Sequence, residues 1–220
     1  MVKDKSHQDT FVELKRALQA FQAERLRNTY TDLRAMPEYE HIGDFFFNRL
    51  YAPEDFSFRD ASIKKLHSAL DGKVYGGMLS AVSRVIELHE LSDALDETMV
   101  EMMTDLEIGP DMTMDEYIKA YQSLDNFDQR VYQINLGAEV THDFHRLSQK
   151  WMVAISLRTV KTAAMLFDIK QIVDFIYDGY TAFKKIKSID YFVDTILERE
   201  LAWHHKIWQG GITDTRGIPQ

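Results

Sequence analysis

An all-α fold follows from three observations on the sequence. Helix breakers are scarce, with only 4 Pro and 10 Gly in 220 residues, while Leu, Ala, Glu, Lys, Met and Gln are plentiful. Apolar residues recur at three- and four-residue spacing over long runs. With 45% hydrophobic residues the chain can bury a core without covalent staples. These features predict one multi-helix bundle of about 7–9 helices over residues 1–208, with a central helix near 126–150. The tail "QGGITDTRGIPQ", residues 209–220, is expected to be disordered.

Each element can be justified in order. Phe11, Leu14, Leu18 and Phe21 follow Asp9, a good N-cap, and the stripe continues through Leu26 and Leu33 until Pro37. A second helix starts near Glu38 and carries Ile42, Phe45, Phe46 and Leu50. Pro53 forces a turn, and "SFRD" at residues 57–60 reads as a capping box for a third helix that Asp71 and Gly72 end. A long fourth helix carries Val74, Met78, Ala81, Val85, Leu88, Leu95, Met99 and Met102 up to Gly109 and Pro110. Thr113 and Glu116 form a second capping box ahead of Tyr117, Ile118 and Tyr121.

From Asn126 onward apolar residues occupy two faces. Phe127, Val131, Ile134 and Ala138 form one stripe, and Leu136, Val140, Phe144, Leu147 and Trp151 the other, which predicts a helix covered on both sides. Further helices are expected near 152–167, 169–187 and 189–208.

The densest stretch is "FFFNRLYAPEDFSFRD", residues 45–60, with six aromatic rings and five charged side chains. It reads as a structural corner in which Phe45, Phe46, Tyr51, Pro53, Phe56, Ser57, Arg59 and Asp60 fix two helices against the core. The same stretch resembles the signature of an uncharacterised bacterial family named for its FFLEELY motif. Phe45, Phe46, Leu50, Tyr51, Pro53, Asp55, Phe56, Ser57, Arg59 and Asp60 fit that pattern, whereas Phe47, Asn48, Arg49 and Ala52 depart from it. Looser likeness continues at Leu91, Ser92, Leu95 and Asp96 and over residues 179–200. The resemblance implies a helical cytoplasmic protein and transfers no catalytic residue.

Charge and composition exclude several function classes. A net charge of −9 disfavours nucleic-acid binding, which needs a surplus of Lys and Arg. No apolar run approaches the ~20 residues that span a bilayer, and the first ten residues, "MVKDKSHQDT", contain no signal-like apolar core. The absence of Cys removes disulfides and thiolate chemistry. Glycine-rich phosphate loops and the GxSxG elbow are missing, and Gly72, Gly76 and Gly77 have the wrong spacing for a phosphate cradle. The charge is also uneven: residues 85–118 hold eleven carboxylates and no Lys or Arg, while residues 146–187 hold eight basic and three acidic side chains. Such polarity can orient a partner protein or a second copy of the chain.

Candidate chemistry is concentrated on two helices. His89, Ser92 and Asp96 interrupt the apolar stripe of the fourth helix, and Glu139, His142 and His145 lie on the central one. His89, Asp96, Glu139, His142 and His145 have the donor types of a metal site in a helical bundle, although the cofactor, metal or haem, is not fixed by the sequence. Two motif fragments are weaker. Residues 89–93 are HExxH with Asp in place of the second His, and residues 38–41 form an ExxH at a helix start. His204 and His205 suit the negative end of the last helix, with Trp208 exposed beside them as a contact surface, and Lys184, Lys185 and Lys187 form a small basic cluster. The expected function is a non-catalytic interaction or adaptor module with a protein partner or homodimer. The alternative is a metal- or apolar-ligand-binding bundle enzyme built on the His and carboxylate set.

Overall fold

The computed structural model describes residues 2–46, 76–150 and 170–210, with Val153 and Leu157. Every regular element among them is helical: α1 (Val2–Thr29), α2 (Thr31–Ala35), α3 (Glu40–Phe45), α4 (Gly76–Asp105), α5 (Met114–Gln122), α6 (Phe127–Ser148), α7 (Lys170–Lys184) and α8 (Asp190–Trp208). The expected all-α, multi-helix architecture is therefore present. Helix α6 packs against α4, α7 and α8, so it occupies the central position its two apolar faces require.

Three boundaries differ from expectation. Helix α1 starts at Val2, so Asp9 lies inside it rather than capping it; no Pro or Gly precedes Asp9 to stop the helix. The first helix also breaks at Tyr30, which has φ −110 and a fully buried side chain whose hydroxyl donates to Glu200 at 2.7 Å. Helix α4 ends at Asp105, short of Gly109. There the Glu107 amide donates to the Thr104 carbonyl and the Ile108 amide to the Met103 carbonyl at 2.8 Å, with Glu107 at φ 56. This is a Schellman closure with a glutamate in the left-handed position that glycine usually takes. Burial of both Ile108 and Met103 holds it in place. The capping box of Thr113 and Glu116 is formed as read.

Two apolar clusters are found among the described residues. One joins Leu14 and Leu18 of α1 to Met99, Val100 and Met103 of α4, Tyr117 and Tyr121 of α5, and Ile207 of α8. The other joins Tyr30, Leu33 and Ile42 to Phe45, Phe183, Phe192 and Val193. Helix α8 thus feeds both clusters, and its middle, at Arg199 and Glu200, is polar.

The corner is described only at its first two rings. Phe45 and Phe46 are buried, the former 6.5 Å from Phe183 and the latter 5.8 Å from Phe192. Tyr51, Pro53, Phe56, Ser57, Arg59 and Asp60 lie outside the described residues. Phe45 depends on a glycine opposite: a Cβ at Gly179 would stand 2.8 Å from its Cζ. Gly179→Ala is therefore expected to push the Phe45 ring out of its packed position, costing about 1–3 kcal/mol. Urea unfolding of the variant measures this, and an unchanged midpoint would show that α3 and α7 can separate freely.

Candidate functional site

Asp96, Arg130 and His204, three of the polar residues that the fold buries, lie between α1, α4, α5, α6 and α8. Asp96 of α4 is buried and accepts from Gln19 Nε2 at 3.2 Å and Gln22 Nε2 at 3.3 Å, both on α1. Burial pushes its carboxyl above the usual range, against the opposing pull of Arg130 and the two glutamines. Arg130 of α6 is also buried; its Nη2 donates to the Leu95 carbonyl at 3.3 Å and its guanidinium lies 5.0 Å from the Tyr121 ring centre. The Tyr121 hydroxyl shares a 2.9 Å hydrogen bond with His204 Nδ1.

His204 is fully enclosed, so it does not serve as the exposed helix-end cap that its sequence position suggests. Phe127, Tyr121 and Trp208 surround its ring. Burial, reinforced by His205 and Arg130, pushes its pKa from 6.5 down to about 4, although the Phe127 main chain pulls the other way. The imidazole is neutral at pH 7. Its place in the core was visible in the spacing of Val193, Glu200, His204 and Ile207, which puts His204 on the buried stripe of α8.

A second polar group ties α1 to α8. Arg25 donates to both oxygens of Glu200, at 3.1 and 2.7 Å, and its guanidinium stands 4.1 Å from the Trp203 ring centre. Burial works against its charge, but Glu200 more than offsets this and raises the pKa. Next to Glu200 on α8, Arg199 grips Asp32 with two hydrogen bonds of 2.9 and 2.6 Å, which hold the Asp32 carboxyl below its usual range.

The residues singled out in the sequence take separate partners. Ser92 accepts from Gln133 Nε2 at 2.8 Å, which does bring α4 and α6 together. Glu139 pairs with Arg84 of α4, and His142 Nδ1 stands 3.8 Å from Asp190 at the start of α8. His145 Nε2 meets the Ile186 carbonyl at 3.0 Å, and His89 is half-buried. Asp96 turns instead to α1. Among the described residues, no group of three or more His, Asp or Glu comes together as a metal would require. His41, from the ExxH at a helix start, is exposed and meets Lys185 Nζ at 3.0 Å.

The surface carries the other feature. On α4, Glu87, Glu90, Glu97, Glu101 and Asp105 are exposed and follow one another at three-, four- and seven-residue steps, so they share a face roughly 27 Å long. Glu107, Asp111, Asp115 and Glu116 extend it, all exposed. Lys15 meets only part of this charge, at Asp93 (2.6 Å) and Glu97 (3.1 Å). Tyr132, 51% exposed on α6, donates its hydroxyl to Glu87 and so places a ring beside the carboxylates.

These features define an all-α protein with a polar seam through its core and an acidic face on one long helix. No helix among the described residues is long and apolar enough to cross a membrane. The chain belongs to the family described as a domain of unknown function (DUF8198), whose model matches residues 2–213. No curated protein and no solved structure matches it.

Proposed function

We propose that this chain is a non-catalytic interaction module of the cytoplasm, and that its α4 face docks a protein carrying a row of Lys or Arg. The single observation behind this reading is the exposed carboxylate ribbon from Glu87 to Asp105. It continues through residues 107–116 with no Lys or Arg among residues 85–118 to neutralise it. Self-repulsion along such a ribbon destabilises the free protein, and a cationic partner relieves it. Complementary charge also accelerates encounter and excludes acidic competitors. Tyr132 supplies what charge alone lacks: an exposed ring that can be desolvated at the centre of a contact.

The test is a charge reversal, Glu90→Lys with Glu101→Lys, set beside Tyr132→Ser. Proteins retained by the immobilised wild type in its native lysate are compared with those retained by each variant, across a range of salt. At least a tenfold loss of one partner is expected in both variants, with salt dependence for the wild type. A retained set that ignores the charge reversal overturns the proposal. Loss with the charge reversal alone would leave only bulk attraction, without a defined contact.

A further inference from the structure

A cleft of about 420 Å³ opens between α3 and α7, a volume in the range of small-molecule sites, about 300–1,000 Å³. His41 Nε2 meets Lys185 Nζ across it at 3.0 Å, and the Phe45 ring lies against Gly179. Residue numbers thus rise along one wall as they fall along the other, so the two helices run antiparallel. That pairing sets His41 and Lys185 at one end of the cleft and Asp44 and Asp178 at the other, and all four line it.

The two ends carry opposite charge without neutralising each other. Asp178 and Lys185 are two turns apart on α7, beyond the three- and four-residue reach of a helical ion pair. Lys185 instead meets an imidazole, and among the described residues it has no carboxylate partner. An ammonium has donors only, so the bonded Nε2 is the acceptor and the proton of the neutral ring sits on Nδ1. This end therefore offers a cation and an N–H, both of them donors. At the other end each carboxylate has two oxygens and about four lone-pair positions, so it can accept an ammonium beside the contacts it already makes.

Between the ends the lining is apolar. Phe45 and Ala182 are both buried and border the cleft there. The opposite charges stand one turn apart on α3 and two turns apart on α7, a rise of roughly 5–10 Å. By ordinary bond lengths that is the span between the charges of a linear amino acid with about five methylenes. An α-ammonium and its own carboxylate sit too close together to reach both ends.

We infer that the cleft between α3 and α7 binds a linear ω-amino carboxylate. Lys185 and His41 Nδ1 donate to its carboxylate, Asp44 and Asp178 accept from its ammonium, and its alkyl chain rests on Phe45 and Ala182. A ligand with a single charge fills one end and leaves the other in water, so the site reads length as well as charge. This assignment does not depend on the acidic face of α4.

The probe is ε-aminocaproate. Added to ¹⁵N-labelled protein at constant pH and ionic strength, it is expected to shift the backbone amide signal of Thr181, which lines the cleft between its ends, along a saturation curve. Caproate, hexylamine and glycine are each expected to bind at least tenfold more weakly. Lys185→Met and Asp178→Asn should each lose at least tenfold in affinity for ε-aminocaproate, with the amide signals of α8 unchanged to show that the fold is intact. The comparison of ligands on the wild type decides the matter even if a variant misfolds. The inference is overturned if no saturable shift occurs, if caproate or hexylamine matches ε-aminocaproate, or if either folded variant binds as tightly as the wild type.

Discussion

Arg25→Ala is expected to lower the stability of the fold by roughly 3–5 kcal/mol, a fall in Tm on the order of 10 °C for a chain of this size. The pair is well shielded, with side-chain exposures of 11% and 13%. Glu200 receives both arms of the guanidinium and the Tyr30 hydroxyl, so losing Arg25 leaves a buried carboxylate with only a phenol for compensation. Burial and the adjacent carboxylate already raise the Tyr30 pKa, so that phenol stays protonated and cannot carry the missing charge. Truncation also uncovers the face of Trp203, on which the guanidinium stacks.

The companion experiment separates the cost of breaking the pair from the worth of having it. Arg25→Met combined with Glu200→Leu removes both charges and keeps the bulk, and is expected to recover most of the loss. Urea unfolding of the two single variants and the double variant forms a closed cycle with a large coupling energy. A loss under about 1 kcal/mol in Arg25→Ala would mean that the seam is solvated and behaves like a surface pair.

Acid should weaken the fold through His204. Its pKa is 6.5 in the unfolded chain and about 4 in the fold. Between those values the unfolded chain binds the extra proton, so stability is lost as pH falls through that window, by at most about 3 kcal/mol. Tyr121, Arg130 and His205 face the ring, and none offers the carboxylate that would welcome the imidazolium.

Asp96 has the opposite sign. Its folded pKa lies above its unfolded one, so its contribution is fully present below the unfolded value and is lost as pH rises through the folded one. The two therefore oppose each other in acid, and wild-type data alone will understate the histidine. Unfolding free energies at pH 7 and pH 4.5 for wild type and His204→Asn isolate its part. The wild type should lose more stability than the variant over that interval. Equal losses would mean that His204 is already charged, or already wet, in the folded protein.

How much of this was legible in the sequence depends on the range of the interaction. Local signals translate well: the Thr113 and Glu116 capping box, the two-faced pattern of α6 and the scarcity of Pro and Gly all report the chain's own neighbourhood. The end of α4 misleads because Gly109 and Pro110 look like the stop, whereas burial of Ile108 closes the helix earlier and holds Glu107 in a left-handed conformation. Asp96 is conspicuous as a carboxylate on an apolar stripe, but nothing local says that it faces Gln19 and Gln22 rather than the histidines of α6. Arg25 and Glu200 lie 175 residues apart, and no periodicity links them. Arg130 and Asn126 look like solvated residues at a helix start, yet both are buried, Arg130 against the Leu95 carbonyl of α4 and the Tyr121 ring of α5.

The clasp between the first helix and the last has a consequence for synthesis. Arg25, Tyr30 and Asp32 leave the ribosome long before Arg199 and Glu200 exist, a wait of roughly 10–35 seconds at ordinary translation rates. During that time Leu14, Leu18 and Leu33 have no α8 to rest on, and a cation destined for the interior remains in water. Those apolar faces therefore stay uncovered through most of elongation, and the two clusters can close only once α8 has been made.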